Sequence, residues 1–309
     1  MGLSSPYFFS LCLTSANPPF GIDWKREKTQ VEAEAKHGFD GRFGPGLPAI
    51  SDGQMLFMLN GVKKLKEGSG RMAIIQNGAS LFTGDAGSGA SEIRRYVIEG
   101  DLVEAIIQLP TDLFYNTGIS TYIWVLTKGK AMHRSGKVQL IDASKCFVKR
   151  RKNIGSKRVD LDDGCISLIL KAYTGFENET YEENGLAVES KVFDNSFFGF
   201  TKVTVETAQA DAKGKPVLKK GKKQPVKGAS DTEIIPLSED IDAYMKKNVL
   251  PYNPLAYIDP AKDKIGYEVP FTRLFYKFEA PASSESIFED IKALEVEETI
   301  LMKELFGNA

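Results

Sequence analysis

Residues Asn17, Pro18, Pro19 and Phe20 stand together in "TSANPPFGIDWK" (14–25), directly after the apolar run "YFFSLCL". An asparagine, two prolines and an aromatic ring suit the binding of an exocyclic amino group that must become more nucleophilic. Such a nitrogen gives its lone pair to the ring it hangs from. To react, it needs acceptors for its two protons and no competing donor nearby. Asn17 offers a side-chain oxygen, and Pro18 offers a carbonyl without an N–H of its own. The prolines hold φ at about −65°, which keeps those acceptors in place. Phe20 offers a flat face on which an extruded base can stack, a contact worth about 1–3 kcal/mol. The four residues describe a pocket for a flipped adenine or cytosine. A plain turn after a strand also favours Asn and Pro. With Pro at about 5% of residues, however, the whole pattern arises by chance in only on the order of a few per thousand chains of this length.

The elements that must position this motif can be read from periodicity. Residues 7–13 form an apolar run of strand length ending just before Asn17, consistent with a strand buried on both faces. Open α/β sheets bind ligands at such carboxyl ends. A loop rich in Gly and Pro follows. At Ser51, "SDGQ" has the spacing of a capping box, and Met55, Met58, Leu59, Val62 and Leu65 then recur at helical period up to Gly68. Strands are predicted at 71–77, 103–110 and 121–127, with a lesser one at 137–142. A short helix in "SEIRRYVIEG" turns Ile93, Tyr96 and Val97 inward, and Glu92 suits its N-terminus. This alternation predicts an α/β layer structure with a mostly parallel sheet. "GDAGSG" (84–89) is either a loop at the rim of the site or a plain connection, since it lacks the Lys-Ser/Thr of a phosphate loop.

From residue 146 the character changes. "KRRKNIGSKR" (149–158) is basic, and the stretch after it is weakly periodic. Residues 213–227 hold seven lysines and no acid, which reads as a solvated linker or loop, with phosphate contact as the alternative. Near the end, Ile287, Ile291, Leu294, Leu301 and Leu305 share one helical stripe.

The chain has 309 residues, 42% of them apolar, enough for a sizeable core and more consistent with two domains than one. Forty basic residues against 41 acidic ones exclude a protein that grips nucleic acid over its whole surface. Any basic binding surface must be local. Cys12, Cys146 and Cys165 are far apart and unpaired by spacing, so buried free thiols are expected. His37 and His133 have no partners at ligand spacing, and no metal site is predicted. No apolar run approaches the roughly 18 residues of a membrane span, and the N-terminal stretch lacks a basic n-region. A cytoplasmic protein without membrane contact is expected.

"NPPFG" resembles the catalytic motif of amino methyltransferases. The block "LFTGDAGSGASEIRRYVIEGDLVEAIIQLPTDLFYNTGISTYIWVLTKGK" closely resembles the methylation subunit of type I DNA restriction-modification systems, and "KVQLIDAS", "RRKNIGSKR" and "YIDPAKDKIGYEVPFTRLFYKFEAP" continue it. The resemblance runs from about residue 14 to the C-terminus. It implies methyl transfer from S-adenosylmethionine to adenine N6 in DNA, with specificity and restriction subunits as partners. It implies that Asn17 and the Pro18 carbonyl accept from the adenine amino group, that Pro19 shapes the turn and that Phe20 stacks on the base. In "LPTDLFYNTG" it places Phe114 on the opposite face, a core residue being the other reading.

The fold it implies is the part of a Rossmann-like methyltransferase sheet from the fourth strand onward, followed by a mixed extension ending in a helix. The corresponding division is 1–145 for the catalytic part, 146–282 for an extension with a Lys-rich loop at 213–227, and 283–309 for a partner-binding helix. The family's F-x-G-x-G cofactor motif has no counterpart in the 16 residues before Asn17, so no cofactor-binding residue is assigned and an N-terminally truncated enzyme is expected. The alternative is a non-enzymatic assembly module that binds the specificity subunit.

Overall fold

The computed structural model describes residues 11–278 and 281–307. The first part of the chain runs β1 (Leu13–Ala16), α1 (Lys28–Ala35), α2 (Gln54–Lys64), β2 (Arg71–Asn77), α3 (Ala79–Phe82), α4 (Gly89–Glu99), β3 (Val103–Gln108), β4 (Thr121–Thr127) and β5 (Lys137–Asp142). A hairpin of β6 (Val148–Ile154) and β7 (Lys157–Asp160) leads to α5 (Asp163–Gly175), β8 (Glu179–Glu183) and β9 (Leu186–Asp194). The remainder is β10 (Gly199–Ala208), β11 (Leu218–Lys219), β12 (Lys222–Lys223), β13 (Pro225–Pro236), α6 (Ile241–Tyr244), β14 (Ala256–Ile258), β15 (Lys264–Tyr267), α7 (Phe271–Phe275) and α8 (Ser284–Phe306).

Seven strands form the main sheet in the order β1-β2-β4-β3-β5-β9-β8. It is an α/β sheet as expected, but mixed rather than mostly parallel. Among the described residues only β1–β2 and β3–β5 run parallel, and the other four pairings are antiparallel. The reason is in the connections. No helix lies between β3 and β4, so residues 109–120 return the chain directly and β4 lies antiparallel between β2 and β3. The predicted lesser strand at 137–142 is central, flanked by β3 and β9, with Val138 through Ile141 buried. The sheet thus continues past residue 145 through β9.

A second antiparallel sheet has β10 at its centre, with β13 on one side and β14 and β15 on the other. The described residues up to Phe271 form one compact unit and those from Thr272 a second.

The core follows the predicted periodicities. Met72, Ile74 and Gln76 alternate inward on β2, and α2 buries Met55, Met58, Leu59 and Val62. Each fully buried aliphatic side chain there stabilises by about 1.5–3 kcal/mol. On α4, Ile93 and Val97 are buried and Tyr96 is half-buried.

Several expectations are corrected. The strand before Asn17 is Leu13–Ala16 and is mostly exposed, because it is the outermost strand of the sheet among the described residues. Residues 7–10 of the predicted strand lie outside the described residues. Ser51 does not cap α2. Gly53 stands at the N-cap without a side-chain cap bond, and Asp52 just before it accepts from the Gln54 N–H at 3.1 Å through Oδ1 and from Gln54 Nε2 at 2.7 Å through Oδ2. Cys12 is exposed, whereas Cys146 and Cys165 are buried free thiols; burial pushes the Cys146 thiol up to about 12. The Lys-rich segment is an exposed β11–β12 hairpin leading into β13 rather than an open linker.

Candidate active site

Strand direction brings four loops to one end of the main sheet. β1 runs parallel to β2, and Asn77 at the end of β2 pairs with Thr121 at the start of β4. Gln108, at the end of β3, pairs with Tyr122 on one side and Asp142, at the end of β5, on the other. The segments starting at residues 17, 78, 109 and 143 therefore leave the same edge.

Asn17 follows the last residue of β1 and is exposed, and its side chain makes no hydrogen bond among the described residues. Pro18 is buried, and no N–H of the described residues donates to its carbonyl. Pro19 is exposed and Phe20 half-buried. Two acceptors thus stand next to each other without partners among the described residues.

The chain beyond them is anchored. Trp24 donates its indole N–H to the Ala49 carbonyl at 3.0 Å and its backbone N–H to Ile50, while Gly53 N–H donates to Ile22. This fixes residues 22–24 against the start of α2. The same start is locked to β2 through Gln54, whose side-chain oxygen accepts from the Asn77 N–H and whose amide donates to Asn77 Oδ1 at 2.8 Å. Buried Gln76 adds a bond from its amide to the Gln54 carbonyl. A motif held by such a base keeps its acceptors in position without a ligand.

Phe114 lies half-buried in the 109–120 loop, which also exposes Tyr115 and Ile119. It is not among the fully buried core residues. The ends of β1 and β3 are three strand spacings apart in the sheet, roughly 14 Å. The structure places Phe114 at the same end as Phe20 without bringing the two rings into an aromatic pair.

"GDAGSG" is a connection tied to the second sheet. The Gly87 N–H donates to the Ile265 carbonyl, and Lys202 bonds both oxygens of Asp85 at 2.8 Å. That hydrogen bond holds the exposed Asp85 carboxyl below its ordinary range. His37 and His133 are exposed; His133 sets its ring edge-on to Phe176. Glu92 is in the first turn of α4, next to the Ser88 cap.

The basic run, unremarkable in the sequence beyond its charge, folds onto the Phe114 loop. Ser156 N–H donates to the Tyr115 carbonyl at 2.9 Å, and Arg158 N–H to the Asp112 carbonyl at 2.8 Å. Gly155 (φ +57°) makes the two-residue turn between β6 and β7, and a Cβ there would sit 2.5 Å from the Tyr115 carbonyl oxygen. Gly155-Ser156 between two basic runs is the hairpin signal that could have found it.

A cavity of about 680 Å³ is lined by residues between Thr201 and Asp263, none of them near the motif in sequence or on its sheet. Asn17 itself is exposed.

No helix among the described residues is long and apolar enough to cross a membrane. A family described as N-6 DNA Methylase matches residues 11–210. The chain is 30% identical over 156 residues to the type I restriction enzyme MjaVII methylase subunit of Methanocaldococcus jannaschii, covering 48% of this chain and 26% of that protein. It is 27% identical over 213 residues to the HindI methylase subunit of Haemophilus influenzae, covering 68% and 46%. The crystal structure of the type I restriction-modification system methyltransferase subunit from Streptococcus thermophilus aligns with a TM-score of 0.50 at 27% identity, over 63% of this chain and 36% of that one. The chain spans about a quarter of the first of these relatives and under half of the second.

Proposed function

The chain belongs to the N-6 DNA methylase family, and on that premise we propose that it supplies the base-binding side of an adenine-N6 DNA methyltransferase in a type I restriction-modification assembly. The carrying observation is the pair of unclaimed acceptors, Asn17 Oδ1 and the Pro18 carbonyl, at the carboxyl end of a parallel strand. Adenine N6 would donate its two protons to them, which leaves its lone pair less committed to the ring. Pro19 shapes the turn, Phe20 stacks on the extruded base, and Phe114 is assigned to its opposite face. S-adenosylmethionine is the methyl donor this family reading implies. No step is assigned to it. The division into a catalytic part (1–145), an extension (146–282) and a partner helix (283–309) follows the same reading, as do specificity and restriction subunits as partners and a cytoplasmic setting.

The test is Asn17→Ala in the chain assembled with the segments of a related subunit that it does not span. Removing a hydrogen bond that strengthens as the amine reacts should cost about 10²–10³ in turnover with unchanged folding. Full DNA methylation by Asn17→Ala would refute the mechanism.

An assembly role has its own observation. The 23-residue helix α8 exposes Ile287, Ile291, Leu294, Leu301 and Leu305. Such a face is suited to helices of a specificity subunit. Co-purification of that subunit with the whole chain, lost when residues 283–309 are deleted, is the expected result.

A further inference from the structure

The β6–β7 hairpin carries six basic residues and one carboxylate, Asp160. Asp160 is engaged by Arg150 and by Lys157 at 2.8 Å. The Lys157 hydrogen bond, with the Arg150 charge, holds its carboxyl below the ordinary range. That leaves Lys149, Arg151, Lys152 and Arg158, all exposed and without an ion pair among the described residues. Four uncompensated cations on one ribbon are a local basic surface in a chain of net charge −1. Extended β6 alone reaches roughly 23 Å.

The ribbon is also fixed in place. Its backbone is bonded to the carbonyls of Asp112 and Tyr115, on either side of Phe114, and Lys157 Nζ lies 5.3 Å from the centre of the Tyr115 ring. The loop that carries Phe114 and the cations are therefore joined through backbone bonds. A two-stranded ribbon of this kind is narrow enough for a DNA groove. Duplex DNA carries a charge about every 1.7 Å along its axis, so several phosphates lie within the ribbon's length.

We propose that β6–β7 is a phosphate clamp: Lys149, Arg151, Lys152 and Arg158 hold the DNA backbone beside the extruded adenine. The inference rests on the methylation reading above and adds to it the surface that grips the substrate. Backbone contacts carry register rather than sequence. The clamp therefore raises affinity for any duplex and leaves the choice of site to other surfaces.

The experiment is salt-dependent binding of a short fluorescent duplex to the whole chain, between about 50 and 200 mM salt. The variant K149Q/R151Q/K152Q/R158Q should make the slope of log K against log salt shallower by about 3.6, at about 0.9 for each phosphate no longer neutralised. A parallel variant, K219Q/K220Q/K222Q/K223Q, neutralises the β11–β12 hairpin. Should the fourfold ribbon variant fold poorly, Arg151→Glu alone should still flatten the slope by about 0.9. Absence of measurable binding by the unaltered chain overturns the proposal. So does an unchanged slope in the ribbon variants, including the case where only the β11–β12 variant flattens it. Duplex binding needs no methyl transfer, so the Asn17→Ala turnover assay tests the catalytic reading separately.

Discussion

Asp101 takes a left-handed backbone conformation (φ +54°) in the turn between α4 and β3. Its carboxylate accepts from Lys130 Nζ, from the Gly136 N–H at 3.0 Å and from Asn195 Nδ2 at 2.9 Å, tying that turn to the start of β5 and the end of β9. Burial raises its pKa, but these hydrogen bonds together outweigh burial and leave it below its ordinary value. A carboxylate depressed in the folded state contributes stability that is present above its unfolded pKa of about 3.9 and lost as pH falls through the lower, folded value. Asp101→Asn should therefore cost about 1–3 kcal/mol at pH 7 and much less near pH 2. Urea unfolding at the two pH values reads this, and an equal gap at both would contradict it. At Phe20, Ala should slow methylation of an assembled enzyme while Trp preserves it, since only the flat face is required. The Asn17–Phe20 motif was legible because its four residues are contiguous and their chemistry is local. The ribbon–loop contact was not, because it joins residues 112–115 to 156–158 through backbone groups that leave no side-chain signature.

Among the elements, β2, β4 and β5 lie where the pattern of apolar residues put them. The second sheet was illegible for a physical reason. β13 is twelve residues long and largely exposed, with Gly228, Ser230, Asp231 and Glu233 among them, so no two-residue alternation marks it. Strand direction was illegible too, because periodicity says which face is buried and nothing about which neighbour pairs. The start of α2 shows how narrow such margins are. Ser51 and Asp52 both have capping chemistry; the N-cap is Gly53, and Asp52 is the one whose side chain bonds Gln54. Asp52→Ala should cost about 1 kcal/mol. Ser51→Ala should stay within about 0.5 kcal/mol, as expected for a surface change. Thermal melts of the two variants decide which residue holds the helix, and the reverse ranking would contradict the assignment.

For the molecule as a whole, exposure sets the expected behaviour in solution. The mostly exposed outer strand β1 and the apolar residues of α8 both invite association. Light scattering should show the full chain self-associating and the chain without residues 283–309 doing so less; clean monomers in both cases would show that neither surface is adhesive. Calorimetry of the whole chain with S-adenosylmethionine should give a dissociation constant weaker than low micromolar, about −8 kcal/mol, because the F-x-G-x-G motif that the family resemblance implies has no counterpart before Asn17.

The bonds between α4 and β15 bear on how the chain reaches this state. Arg94, 1% exposed, donates to the Tyr267 carbonyl and to Ser80, and the Tyr267 N–H in turn donates to Ser91. Burial lowers the Arg94 pKa to about 10, so it remains a cation at neutral pH. During synthesis that cation is made 173 residues before the carbonyl that receives it. At roughly 5–20 residues per second the ribosome leaves α4 without its partner for about 9–35 s. Closing so long a loop is slow and comes late. The interval is a window in which α4 offers a charged, half-apolar face to chaperones, and a stop codon anywhere before Tyr267 would make that window permanent.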